Sequence, residues 1–254
     1  TGTPTLIQRS ELPDPHRLVG SRLHLHPASV VAGLFPQKLE SWKGRPQSYQ
    51  CTELLEFSKG SNKRVWLVPA FAHPAGVSSI LPGFGFEHQR YMEHYPQMAA
   101  VTAMVHDETR GRVKPKGRFG VAIDYWPDEA DRQQIVLGLV ASAKILLAAG
   151  ATKVVVPTVE PIELQSASDA NKLASTLTIE RYNLNITAVH PMSSVWMGER
   201  PETSCVDPSG RYHQLDNLFV ADTSLYPTSI GGPPQLTAYA LGLHVGRRLV
   251  ASLG

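Results

Sequence analysis

An α+β fold built on an antiparallel sheet is what this 254-residue chain predicts, on three observations. Four short runs rich in apolar and β-branched residues lie between Gly, Pro and charged turns. A longer apolar stretch keeps helical periodicity from an acidic start to a glycine stop. A second such stretch closes the chain behind a pair of prolines.

The strand-like runs cover 63–69, 98–106, 120–125 and 153–157, at a spacing that suits antiparallel pairing. Between the third and fourth, Asp128, Glu129 and Asp131 stand where carboxylates favour a helix N-terminus. Apolar residues then sustain the helical repeat to Ala149, and Gly150 ends it. Gly83-Phe-Gly-Phe-Glu-His is expected to form a turn, as is His106-Asp107-Glu108. Further on, Asn217-Leu-Phe-Val-Ala221-Asp222 is an apolar run ending in an acid, expected to be a buried strand that delivers Asp222 to the edge of a ligand. Residues 224–232 carry Pro and two Gly and should turn the chain sharply. Pro233-Pro234-Gln235-Leu236 opens the last helix, where a missing N–H costs nothing in the first turn. Leu236, Ala240, Leu243, Gly246 and Val250 share one face of it, expected to be buried, with Arg247 and Arg248 near the end complementing the dipole. The start of that helix offers unpaired N–H groups and partial positive charge to an anionic ring.

Composition narrows the function by exclusion. A hydrophobic content of 42% supports one large or two modest cores. A net charge of +2, with Lys and Arg spread along the chain, gives no basic patch for nucleic acid. The most apolar segment, 135–151, is interrupted by Gly138 and Lys144 and is too short and too polar for a membrane span. Cys51 and Cys205 are the only cysteines, lack metal-ligand spacing and are read as free thiols; two cysteines do not fix the compartment, and a soluble protein is expected, with the cytoplasm slightly favoured. His24 and His26 alternate before Pro27 with no carboxylate or thiolate at ligand spacing, so packing is expected there and no metal site. The 20 prolines and 20 glycines imply long ordered connections that suit loops around a substrate pocket.

Ordered motifs carry a family resemblance. His190-Pro-Met-x-x-x-x-Met-Gly, Val206-Asp207, Asp216-Asn-Leu-Phe-Val-Ala-Asp-x-Ser-x-x-Pro227 and Pro234-Gln-Leu-Thr237 resemble the C-terminal end of glucose-methanol-choline (GMC) flavin oxidoreductases. Gly2-Thr-Pro-Thr-Leu-Ile-Gln-Arg-Ser10 and Val19-Gly-Ser-Arg-Leu-His-Leu-His-Pro27 are similar to the second signature of that family and the segment after it. Leu81-Pro-Gly-Phe-Gly, His106-Asp-Glu-Thr and Ala148-Ala-Gly-Ala are similar to the branch that includes long-chain alcohol oxidases.

The resemblance implies three segments: 1–22 and 188–254 as parts of an α/β FAD-binding domain, and 23–187 as a substrate-binding domain. The family's N-terminal Gly-x-Gly-x-x-Gly turn, which holds the FAD pyrophosphate, has no counterpart here. An N-terminal FAD-binding polypeptide, a separate subunit or a cleaved fragment, is therefore expected to complete the domain.

The resemblance also implies the chemistry. An alcohol becomes a hydride donor as its O–H bond polarises, and an imidazole titrates near neutral pH. In the family, the histidine matching His190 lies over the flavin, as base or hydrogen-bond partner of the alcohol while hydride moves to flavin N5. Ala221, Asp222, Pro233, Pro234, Gln235 and Leu236 match positions at the isoalloxazine and ribityl end of FAD. Pro233, 43 positions after His190, falls where the family places a second His or Asn, and proline has no side-chain donor or acceptor. Ser193-Ser194 stand where Gly-Thr is common. These departures keep two other readings open: a flavin-dependent lyase or decarboxylase, and a non-catalytic subunit of a flavoprotein complex.

Overall fold

The computed structural model describes residues 1–45, 47–58, 61–70 and 73–254. In chain order its elements are α1 (Gly2–Arg9), β1 (Ala28–Leu34), β2 (Val65–Ala70), α2 (Pro74–Val77), α3 (Phe86–Glu93), β3 (Met98–Val105), β4 (Arg112–Lys116), β5 (Gly120–Asp124), α4 (Glu129–Ala148), β6 (Lys153–Val156), β7 (Ile162–Leu164), α5 (Ala167–Thr176) and α6 (Gln235–Ser252). They form two compact units. One comprises Pro27–His106 and Glu129–Thr187, the other Thr1–His26, Asp107–Asp128 and Ala188–Gly254.

The first unit is a five-stranded sheet in the order β2-β3-β1-β6-β7, antiparallel at every pairing. The runs expected at 63–69, 98–106 and 153–157 are β2, β3 and β6. The central strand, β1, had no such reading. Its sequence Ala-Ser-Val-Val-Ala-Gly-Leu is buried on both faces, so it lacks the apolar–polar alternation that marks a strand. Side chains alternate between two cores as the pleat requires. On one face α4 approaches so closely that a Cβ on Gly138 would stand 2.6 Å from Ala103 Cβ and 2.9 Å from Val65 Cγ1. On the other, Ala32, Met98 and Val155 pack with Tyr91 and Tyr95.

Acids at the start of α4 do more than meet its dipole. Asp131 is buried and pairs with Arg64 at 2.6 Å, while Arg64 also donates to the His106 carbonyl at 2.8 Å. The Arg64 amide donates to Gln134 Oε1 at 2.9 Å. Polar groups thus pin the first turns of α4 to the head of β2, because a buried charge is tolerated only when paired and hydrogen-bonded.

In the second unit, α1, the hairpin of β4 and β5, and the chain from Ala188 onward surround a core that includes Met192, Val195, Trp196, Leu225, Tyr226 and Val245. Here the grouping of the chain differs from the expected segments 1–22, 23–187 and 188–254. The run at 120–125 is β5, but it pairs only with β4, and the 107–128 segment groups with the termini. The cause is backbone pairing: Leu23 and Gly111 exchange hydrogen bonds, and the Val113 amide donates to the Gly20 carbonyl. Residues 23–26 follow the same pairing into this unit.

Two further expectations in this unit fail. The segment 217–222 is no strand: a single bridge, Arg211 to Phe219, holds it, and the Val220 amide bonds back to Gly210. Gly210 is obligatory there, with φ 85° and Val245 Cγ2 only 2.5 Å from where a Cβ would stand. On α6 the apolar face is present but faces outward. Leu236 is 81%, Leu243 57% and Val250 70% exposed, Ala240 and Gly246 are exposed as well, and Val245 is the helix's buried residue. Among the described residues, no helix is long and apolar enough to cross a membrane.

Candidate active site

The strip after His190 is threaded between two others. On one side, His24 and Met192 exchange backbone hydrogen bonds of 3.1 and 2.9 Å. On the other, the amides of Ser193, Val195 and Met197 donate to the carbonyls of Thr223, Ser224 and Leu225, and the Thr223 hydroxyl donates to the Pro191 carbonyl at 2.8 Å. His190 is therefore held in register with the turn that follows Asp222.

His190 itself is half-buried, and burial pushes its pKa below the ordinary histidine value. Its Nδ1 lies 3.4 Å from Nδ1 of His26, with the two rings edge to face at 81° and their centroids 5.5 Å apart. His26 is buried, and its Nε2 accepts the Gly231 amide at 3.1 Å. The backbone of His26 is left-handed, φ 51°, a conformation uncommon for a non-glycine residue and costly unless its surroundings hold it.

Asp107 holds it. This carboxylate, 1% exposed, accepts the amides of Leu25 at 2.9 Å and His26 at 3.2 Å and the hydroxyls of Tyr125 and Ser229 at 2.8 Å each. His24 Nδ1 lies 3.5 Å from it, within ion-pair range but outside hydrogen-bond geometry. Burial pushes the Asp107 pKa up, yet the nearby His24 and the donated hydrogen bonds outweigh it and hold the carboxyl at about 2. The expected turn at 106–108 is thus a correction: Asp107 is a buried anchor, because four donors from distant segments converge on it.

Asp222 is exposed and caps the short 3-10 turn Thr223–Leu225, its Oδ1 accepting the Ser224 amide at 2.7 Å. Its Oδ2 accepts the hydroxyl of Thr3 from the first helical turn of the chain. Ala221 and Pro233 are exposed, and the Pro234 carbonyl accepts the buried Tyr226 hydroxyl at 2.9 Å. Helix α6 begins behind Pro234 with no side-chain cap, so its first N–H groups have no side-chain acceptor, and Gln235 and Leu236 are exposed. Among the described residues, the buried hydroxyls of Ser193, Ser194 and Ser224 have no hydrogen-bond partner. An uncapped helix start and partnerless hydroxyls fit an anionic, acceptor-rich ring system such as the isoalloxazine of FAD.

The structure thus joins His190, through its backbone strip, to the turn behind Asp222, and joins Asp222 to the chain's start. It brings His26 and Asp107 into the site's support, which sequence reading missed. His26 lies 164 residues from His190 and 81 from Asp107, so no local pattern could announce either contact.

A family profile described as GMC oxidoreductase matches residues 107–242, just over half of the chain. A GMC-type oxidoreductase of Mycobacterium tuberculosis (strain ATCC 25618 / H37Rv), Rv0492c, is 33% identical over 258 residues, covering 100% of this chain and 39% of that protein. The long-chain-alcohol oxidase FAO4A of Arabidopsis thaliana is 30% identical over 267 residues, covering 96% of this chain and 35% of that protein. Among solved structures, pyridoxine 4-oxidase from Mesorbium loti superposes with a TM-score of 0.66 at 19% identity, over 97% of this chain and 49% of that one. The chain matches the C-terminal part of such relatives and spans well under two thirds of their length. By its motifs and this match, the chain belongs to the GMC oxidoreductase family, whose cofactor is FAD.

Proposed function

We propose that this chain supplies the substrate-binding unit and the C-terminal part of the FAD site of an enzyme that oxidises an alcohol to a carbonyl compound. The observation that carries this reading is the placement of His190: a half-buried imidazole of lowered pKa, in register with the turn behind Asp222. Bound FAD would supply the hydride acceptor, so the protein need only orient the alcohol, exclude water and handle one proton. The carbinol carbon gives up its hydride and the oxygen its proton, with His190 as base or hydrogen-bond partner of that oxygen. Asp222, with Ala221 beside it, and the backbone of Pro233, Pro234, Gln235 and Leu236 hold the isoalloxazine and ribityl end.

A partner polypeptide or segment carrying the pyrophosphate-binding turn completes the site. The short span of the chain against its relatives supports this, as does the exposed apolar face of α6, which is the kind of surface another domain covers. The substrate we favour is an alcohol with an apolar tail. Its support is the relationship to plant long-chain-alcohol oxidases and an apolar cavity in the sheet unit, lined by Val30, Ala32, Ala70, Ile80, Leu81 and Met98.

Anaerobic mixing of the flavin-loaded protein with a series of primary alcohols of rising chain length tests the reading. Bleaching of the oxidised flavin, faster with longer chains, is expected. A flavin left oxidised by every alcohol overturns it. Pro233, where a second His or Asn is usual, favours a second reading of lyase or decarboxylase chemistry, in which substrate is consumed without such bleaching.

A further inference from the structure

The two histidines at the site decide each other's protonation. A neutral imidazole has one N–H and one lone pair. Because the Gly231 amide donates to Nε2 of His26 at 3.1 Å, that nitrogen is the acceptor and the His26 proton sits on Nδ1. Turning the ring over would set carbon against the Gly231 amide and lose the bond. The Nδ1–H of His26 faces Nδ1 of His190 at 3.4 Å, so Nδ1 of His190 is the acceptor and its own proton sits on Nε2.

We propose that His26 is a positioning residue that fixes neutral His190 as the Nε2–H tautomer, leaving a hydrogen-bond donor, not a lone pair, at the free nitrogen of the ring. The inference rests on the reading of His190 as the group that meets the alcohol oxygen, and it selects hydrogen-bond partner over base in the resting state. The ligand atom it suits is an oxygen acceptor: an alkoxide-like or carbonyl oxygen. Placing the Nε2 lone pair outward would bring two N–H groups face to face across the 3.4 Å gap, or reverse His26 against Gly231.

The orientation of His26 is built in. Asp107 accepts its amide and that of Leu25, and its contact with the Gly231 loop, the Ser229 hydroxyl at 2.8 Å, lies two residues before Gly231. The same carboxylate therefore positions both the ring and the amide that sets its tautomer. The left-handed backbone of a residue only 1% exposed is the conformational cost that this arrangement offsets.

The test is nitrogen NMR of the flavin-loaded protein, with its partner polypeptide, carrying 15N-histidine in this chain. Spectra correlating ring nitrogens with carbon-bound ring protons report the tautomer of each of the ten histidines, and His190→Ala identifies its signals by their loss. The expected result is a protonated Nε2 and an unprotonated Nδ1 for His190, with the reverse for His26. His26→Gln keeps an acceptor for Gly231 but places no donor at Nδ1, and should shift the His190 nitrogens toward a tautomer mixture. His26→Asn keeps a donor near Nδ1 and should retain the Nε2–H form. A wild-type His190 protonated on Nδ1, or a His26→Gln spectrum unchanged from wild type, overturns the proposal. If neither variant folds, the wild-type spectrum decides alone. The expected tautomer without flavin reduction by any alcohol would sink the alcohol reading and keep this one; flavin reduction with the opposite tautomer would do the reverse.

Discussion

Asp107 accepts the backbone N–H of His26 at 3.2 Å across 81 residues of sequence, and by that bond it holds a buried histidine in the left-handed conformation from which its ring reaches His190. The carboxylate also accepts the Ser229 hydroxyl, two residues before Gly231, whose amide donates to the His26 ring.

Asp107→Asn tests that anchor. The amide keeps one oxygen but turns an N–H₂ toward donors, leaving at least one buried N–H or O–H without an acceptor. A loss of roughly 3 kcal/mol is expected in urea unfolding, from one or two orphaned donors near a lost charge. A loss under about 1 kcal/mol would show that the four donors find other partners.

The same residue sets an acid limit. Its folded pKa of about 2 lies below the ordinary carboxylate value near 4, so its stabilisation is present above about pH 4 and is lost as pH falls from there through about 2. Wild type should steepen its loss of stability in that window, by roughly 2 kcal/mol in total, and Asp107→Asn should not. Parallel acid titrations of the two proteins would contradict the assignment.

In the sheet unit, breaking the Arg64–Asp131 pair from one side should be far worse than removing both. Arg64→Met or Asp131→Leu alone removes one partner of the buried ion pair and should cost about 3–5 kcal/mol, while the double variant should recover much of it. Denaturant midpoints of the four proteins give the coupling directly. Additive losses would mean that the pair is not coupled.

Gly138→Ala sets helix propensity against packing. In a free helix alanine would gain up to about 1 kcal/mol. Here its methyl would stand 2.6 Å from Ala103 Cβ, and a net loss of about 1–3 kcal/mol is expected as α4 is pushed from the sheet. A raised thermal midpoint would show that the helix can shift at little cost.

His190→Ala should slow flavin reduction by the best alcohol about 10²-fold or more while bound flavin is retained, as expected for loss of the group that polarises the O–H bond. Stopped-flow reduction at saturating substrate measures it. Unchanged kinetics would remove His190 from the chemistry.

Much of the fold was readable along the chain. The strands β2, β3 and β6 and the helix α4 follow from apolar runs, an acidic helix start and a glycine stop, all set by neighbours a few residues apart. Central β1 was not, because a strand covered on both faces shows no alternation. The site residues from His190 to Leu236 rested on motifs, since nothing local distinguishes a catalytic histidine before proline from a structural one.

Local order and family membership were determined by the sequence, because propensity, caps and motifs act over a few residues. Tertiary structure alone decided that Asp107 is an anchor and not a turn, that His26 meets His190, and that the apolar face of α6 points outward. A hydrophobic pattern states which residues share a face, not which face finds a partner. A polar side chain takes its role from the donors and acceptors that folding brings to it, here across 81 and 164 residues.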